Sequence, residues 1–139
     1  MDASARVAFA CYLTGAAISV VFGAIYLARR EFMPYHRAAA GSGWQELAPG
    51  VRVLLLAMLR GVGGLFLANG IAVLALLAIP FRRGEPWAAV ALPVVGLAAA
   101  LPTLWGIHLV RSRTPGRPPW GLALLHATLF AAGAVASSL

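Results

Sequence analysis

The chain has 139 residues, of which 61% are hydrophobic and only 11% are charged, with a net charge of +7. Its mean hydropathy is +0.85, whereas about a quarter of the residues of an ordinary soluble domain are charged. This composition excludes a soluble globular domain and a disordered chain, and the single cysteine excludes a disulfide-stapled secreted fold. We therefore expect an integral membrane protein.

Apolar runs long enough to cross a bilayer occur along the whole chain. A spanning helix needs about 20 residues, because the hydrocarbon core is about 30 Å thick and a helix rises about 1.5 Å per residue. The runs are continuous and do not alternate in polarity, which favours helices over a barrel. They lie at about 7–27, 51–79, 87–110 and 122–139. The sequence predicts one domain over 1–139, an all-α antiparallel four-helix transmembrane bundle.

The first span is charge-free and is followed by Arg29 and Arg30. It is too long for the apolar region of a signal peptide and lacks a clean cleavage site, so we expect a retained helix. Small residues that permit close helix approach recur within three of the spans. They are Gly15, Ser19 and Gly23 in the first, Gly61, Gly63, Gly64, Ala68 and Ala72 in the second, and Ala123, Ala127 and Ala131 in the fourth.

The loop at about 28–50 mixes aromatic, apolar and charged residues and is longer than a connection requires. We expect an interfacial segment that caps one mouth of the bundle, with only a short helix between Pro34 and Gly41.

Prolines interrupt two of the spans. The second span is expected to stop at Pro80, and the third span contains Pro93 and Pro102. Pro102 lies deeper in its span, where it should kink the helix and free a carbonyl near Ala98. A simple adjustment of helix shape for packing is the preferred interpretation of this kink, and a carbonyl that lines a cavity is the alternative.

Arginine supplies every cation and indicates the orientation. Four spans place both termini and the second loop on one side, which holds three arginines, against seven around the first and third loops. The positive-inside rule then predicts loops 28–50 and 111–121 in the cytoplasm and both termini outside. Arginines spread over two membrane faces do not suit nucleic acid, but they suit anionic headgroups. The seven are Arg29, Arg30, Arg37, Arg52, Arg111, Arg113 and Arg117.

Polar residues that are costly to place in a bilayer are the candidates for a functional site. Two interpretations of Arg60 stay open, an interfacial residue that snorkels to the headgroups or a buried residue that needs a partner. Asn69 is expected to bond to another helix, at about 1 kcal/mol or less. The three histidines converge on the side of the first loop, although three independent interfacial residues would explain them as well. The candidate ligand-binding residues are Arg60, His108, His126, Trp44, Trp105 and Asn69.

Acid–base chemistry at the same side is the enzymatic alternative, with His36, Glu31 or Glu46 as the acid or base. Each histidine comes from a different segment, so no metal site is expected, and no cofactor is assigned. Cys11 is alone, which excludes membrane thiol–disulfide chemistry.

The run LRGVGGLFLANG at residues 59–70, the turn FRRGEPWA at 81–88 and the following Ala-Leu-Pro span carry one resemblance. Over about residues 30–120 the chain resembles small uncharacterised bacterial four-helix membrane proteins. The resemblance implies a bundle in the bacterial inner membrane and no settled activity, so it transfers no site residue.

The sequence thus predicts a small inner-membrane protein that binds a lipid-like or apolar small molecule, or that serves as a subunit of a membrane complex. The expected partner is a membrane lipid or a lipophilic small molecule, with room for a homo-oligomer and no role for nucleic acid. A membrane-embedded enzyme acting on a lipophilic substrate is the alternative.

Overall fold

The computed structural model describes all residues, Met1–Leu139, and every regular element in it is helical. The α-helices are α1 Ala3–Ala28, α2 Pro34–Ala40, α3 Pro49–Leu76, α4 Pro86–Arg113 and α5 Trp120–Ser137. A 3₁₀ turn lies at Trp44–Glu46, and α3 continues into a π-helical segment, Leu77–Phe81. Four of these helices are long and apolar enough to cross a membrane. Each predicted span falls on one of them, which confirms the predicted fold class.

The second span does not stop at Pro80, as the sequence predicted, but continues to Phe81. The wider π-helical turn accommodates a proline that cannot donate an intrahelical hydrogen bond. The chain then reverses at Gly84, whose φ of +73° is a left-handed conformation that favours glycine.

The four long helices form a ring in the order α1, α3, α4 and α5. α1 packs closely on α3 and on α5, α4 packs on α5, and the α3–α4 contact that closes the ring is the least extensive of the four. We call the end with α2 and the α4–α5 connection the loop end. The end with both termini and the α3–α4 turn is the terminal end. The loosest packing in the ring therefore lies between α3 and α4.

Backbone contact holds α1 against α3. A Cβ added to Gly23 would lie 2.8 Å from the Gly63 carbonyl oxygen, and one added to Gly70 would lie 3.0 Å from the Ala16 carbonyl oxygen. Because lipid gives helices little hydrophobic drive to associate, such close approach is a main source of attraction between them. Gly15, Ser19 and Gly23 are all buried, so the predicted contact stripe of the first span is confirmed.

The predicted stripes on the second and fourth spans are largely wrong. Only Gly63 of the predicted second-span face is buried, and only Ala127 of the fourth-span set. The inward faces follow the helical repeat and contain both large and small residues. Lipid tails are as apolar as the bundle interior, so small size alone does not mark the buried side. The inward residues are Leu59, Gly63, Phe66, Gly70 and Val73 on α3, and His126, Ala127, Phe130, Gly133 and Ala136 on α5.

Aromatic rings fill slots left by glycines at the terminal end. The fully buried Phe130 ring occupies the space beside Gly15 and Gly96. A Cβ added to Gly15 would lie 2.7 Å from a ring atom, and a Cβ added to Gly96 would overlap the ring. Tyr12 lies against Gly133 in the same manner. Together with Leu77 and adjacent buried residues, these two rings form a packed hydrophobic core at the terminal end.

The first loop folds over the loop end of the bundle. Phe32 packs against Tyr26 and Leu59, and a Cβ on Gly116 of the α4–α5 connection would lie 2.8 Å from the Tyr35 carbonyl oxygen. Loop and connection therefore close this end together.

Replacement of Gly96 tests the packing of Phe130. Gly96→Ala puts a methyl group into the ring and should lower the free energy of unfolding by about 1–3 kcal/mol, the usual cost of overpacking. Gly106→Ala is the matched control on the same helix, because no atom lies within 4 Å of its added Cβ. It should leave stability unchanged or slightly raised. Equal thermal unfolding of the two variants in detergent would contradict this packing.

Candidate functional site

A chain of hydrogen bonds crosses the middle of the bundle and joins all four long helices. His126 Nε2 on α5 lies 2.8 Å from Ser19 Oγ on α1. Ser19 Oγ lies 3.3 Å from Asn69 Oδ1 on α3, and Asn69 Nδ2 lies 2.9 Å from the Val95 carbonyl oxygen on α4. We call these four groups the polar chain. It confirms the prediction that Asn69 bonds to another helix.

Burial makes the polar chain costly to break. Ser19 is 0% exposed and His126 is 3% exposed. Interhelical bonds of this kind contribute only about 0.6 kcal/mol each on average, but a polar group without a partner in this apolar interior loses the hydrogen bonds that water would give it. The polar chain therefore fixes how the helices are rotated relative to one another.

The direction of each bond follows from chemistry. The Val95 carbonyl can only accept, so Asn69 must turn its amide nitrogen to α4 and its oxygen to Ser19. That oxygen also only accepts, so the Ser19 hydroxyl gives its single proton to Asn69. Ser19 must then accept from His126 Nε2. His126 therefore carries a proton on Nε2. The surrounding cavity lining is mostly apolar and contains no carboxylate to stabilise a charged ring, so the imidazole is neutral and Nδ1 carries no proton.

A cavity of about 620 Å³ begins directly below the polar chain and extends toward the loop end. Phe66 on α3 and Ala98 on α4 line it, each about one turn from Asn69 or Val95 on its own helix. The Asn69–Val95 bond thus closes the gap between α3 and α4 at its deep end. Below that bond the two helices separate.

Apolar walls surround most of this cavity, and they open sideways. Val62 and Leu65 line it from α3 although they are 40% and 72% exposed. Pro102 and Gly106 line it from α4 and are also exposed. Residues that face both a cavity and the outside of a membrane helix mark a lateral opening toward lipid.

Pro102 contributes to this wall because its ring nitrogen has no proton for the Ala98 carbonyl four residues earlier. Both residues line the cavity, in agreement with the alternative interpretation of this proline. Thr103 in the same turn also lines it and donates its hydroxyl proton to the Ala99 carbonyl at 2.8 Å.

The mouth of the cavity at the loop end carries Tyr26, Tyr35 and His36. The two tyrosine hydroxyls are hydrogen-bonded to each other. The Met33 backbone N–H donates to His36 Nδ1 at 3.2 Å, so the His36 proton resides on Nε2. Burial lowers the pKa of His36, which agrees with a neutral ring, and burial also raises the pKa of Tyr35.

The structure brings three of the predicted site residues to this region. His126 lines the deep end of the cavity and His36 lines the mouth, while Asn69 holds the polar chain above it. Their roles in binding or catalysis stay predictions.

The other predicted ligand-binding residues lie elsewhere. Trp105 is 68% exposed on the outer side of α4, with His108 beside it at a ring separation of 6.0 Å. Trp44 packs edge-on against Phe32 within the first loop, with ring centroids 5.1 Å apart. None of these three lines the cavity.

Arg60 is exposed on α3. Gly63, one turn further along α3, packs against Tyr26 and Leu27 at the end of α1. Arg60 is therefore level with the point where the chain leaves α1, which supports snorkelling over a buried position.

The two candidate carboxylates also lie outside the cavity. Glu46 accepts the Gly43 backbone N–H at 2.8 Å and so caps the 3₁₀ turn. Glu31 is exposed in a shallow hollow beside Arg29 and Arg30.

Sequence reasoning missed the part played by Ser19, Tyr26, Tyr35 and Thr103. Ser19 was interpreted only as a small packing residue, and neither the tyrosines nor Thr103 were assigned to a site. Ser19 and Asn69 were the two uncharged polar side chains with the clearest need of partners deep in the spans, and pairing them was the available signal.

No group of three or more His, Cys, Asp or Glu side chains in the structure could hold a metal ion. The chain matches no protein-family model, no curated protein and no solved structure.

Proposed function

We propose that this membrane protein binds a lipid-like or apolar small molecule in the cavity between α3, α4 and α5. The observation that carries the proposal is an apolar cavity that opens to the bilayer below the polar chain. Its volume of about 620 Å³ lies within the range of about 300–1,000 Å³ that is usual for ligand sites.

The opening supports a route of entry from lipid. Val62 and Leu65 are exposed on one edge and Pro102 and Gly106 on the other. A lipophilic molecule dissolved in the bilayer could enter between these edges without crossing water. α2 and the α4–α5 connection cover the loop end of the bundle. A ligand therefore reaches the cavity more directly through the lateral opening than through the loop end.

The membrane-embedded enzyme is the second candidate, supported by His36 at the mouth beside the paired Tyr26 and Tyr35. A neutral imidazole can move a proton for a substrate in the cavity. Glu31 and Glu46 lie outside it, so the acid–base set is reduced to His36 and the tyrosines. The roles of complex subunit and homo-oligomer stay predictions.

We place the protein in the bacterial inner membrane with its loop end in the cytoplasm. The seven arginines of the first and third loops all belong to that end, against three at the terminal end. The cavity then opens in the cytoplasmic leaflet.

Lipid extraction from purified protein tests the binding proposal. Ala123 lines the cavity from α5, so Ala123→Phe should fill it and remove a small molecule that co-purifies with the wild type. Ala131→Phe is the matched control, because Ala131 lies on the same helix and faces outward. Mass spectrometry should find one apolar compound near equal molar ratio in the wild type and in the Ala131→Phe protein. Identical lipid profiles for all three proteins would count against the cavity as a binding site.

A reporter at the C-terminus tests the orientation. A fluorescent protein that matures only in the cytoplasm should stay dark when fused after Leu139, whereas a fusion within the first loop, after Gly41, should fluoresce. The reverse pattern would place the cavity in the outer leaflet and overturn the assignment.

A further inference from the structure

The residues that line the cavity favour a ligand that is neutral as well as apolar. No arginine, lysine, aspartate or glutamate is among its lining residues. An ionic headgroup in this space would have no counter-charge and would be desolvated at high cost. The polar groups present are imidazole rings and hydroxyls, which suit a neutral ligand.

The deep end of the cavity presents one unused hydrogen-bonding atom. Through Nε2, His126 is bonded to Ser19, and the ring also lies near the Gly15 backbone carbonyl on the same helix α1. The only side-chain partner of the ring is therefore on its α1 side, and Nδ1 makes no side-chain hydrogen bond. His126 lines the cavity, and its Nδ1 is not fully buried, so this atom is accessible from the cavity. The open side of this ring is the cavity.

The polar chain determines whether Nδ1 of His126 donates or accepts a hydrogen bond. Because Val95, Asn69 and Ser19 together force the proton onto Nε2, Nδ1 is left as a bare lone pair. A lone pair accepts a hydrogen bond and cannot give one. The ligand group that satisfies it must be a donor, and a hydroxyl is the common neutral donor among lipids.

The mouth of the cavity presents a hydrogen-bond donor instead of an acceptor. Nδ1 of His36 accepts from the Met33 backbone, so its Nε2–H is a donor at the other end of the cavity. The apolar walls between the two rings suit hydrocarbon, and the lateral opening leaves a path for a tail into the bilayer.

We infer that the ligand is a neutral lipid whose hydroxyl group donates to Nδ1 of His126, with its hydrocarbon passing between α3 and α4. This inference rests on the proposed function and narrows it to one class. It disfavours ligands that only accept hydrogen bonds at their head, and it disfavours fatty acids and phospholipids, which carry charge.

Three matched probes test the inference on the full-length protein in nanodiscs. The probes are 12-(1-pyrenyl)dodecan-1-ol, its methyl ether, and 12-(1-pyrenyl)dodecanoic acid at a pH where the acid is ionised. Energy transfer from the tryptophans to pyrene reports binding, and the signal of Ala123→Phe at the same probe concentration is subtracted as bilayer partition. One hydrogen bond of about 1 kcal/mol corresponds to about a fivefold preference. We expect the alcohol to bind about fivefold to tenfold more tightly than the ether, and more tightly than the acid.

The outcomes separate the inference from the function. If alcohol and ether bind equally, or if the acid binds best, the hydroxyl assignment is overturned while the cavity remains a binding site. If no probe exceeds the Ala123→Phe signal, the proposed function fails and the inference fails with it.

The Ser19→Ala variant provides a second test of the inference. It removes the group that holds the His126 proton on Nε2 and changes no residue that lines the cavity. The preference for alcohol over ether should fall toward one, with the ether still bound. A Ser19→Ala protein that keeps the full preference would overturn the role given to the polar chain.

Discussion

The hydrogen-bonded chain from His126 through Ser19 and Asn69 to the Val95 carbonyl is the interaction on which the rest of the bundle depends. Its hydrogen bonds join all four long helices, and each of these bonds has a single permitted direction. In lipid, hydrophobic exclusion does not tell a helix which way to face. Three bonds that must all be made at once specify the rotation of each helix.

The polar chain also divides the molecule into a packed half and a half that contains the cavity. Toward the terminal end, Phe130 and Tyr12 fill the slots left by Gly15, Gly96 and Gly133, and little free space remains. Toward the loop end, α3 and α4 separate and leave a cavity that opens to the bilayer. The bond between α3 and α4 sits at the border, so the same contact ends the packed core and begins the site. This placement puts a defined hydrogen-bond acceptor at the deep wall of an otherwise apolar space.

The sequence was sufficient for the four spans, because helix length and continuous apolarity are local properties. It also predicted that Asn69 would bond across helices, since a mid-span amide has few alternatives. It failed for Gly61, Gly64, Ala68 and Ala72, which face outward, because the lipid-facing and buried sides of these helices are equally apolar. The partners of His126 and the separation of Trp105 and His108 from the cavity depend on helix rotation, which no spacing in one helix encodes. Ser19 was visible as a small residue, but its role required the position of two other helices.

The protonation of His126 tests the polar chain most directly. Nitrogen-15 NMR of histidine-labelled protein in nanodiscs distinguishes a bare ring nitrogen from a protonated one. The three histidines can be assigned with His36→Gln and His108→Gln variants, which leave the polar chain intact. We expect His126 to show a protonated Nε2 and a bare Nδ1, and to lose this fixed state in Ser19→Ala. A proton on Nδ1 alone would contradict the bond directions of the polar chain, and a proton on both nitrogens would remove the acceptor from which the ligand class is inferred.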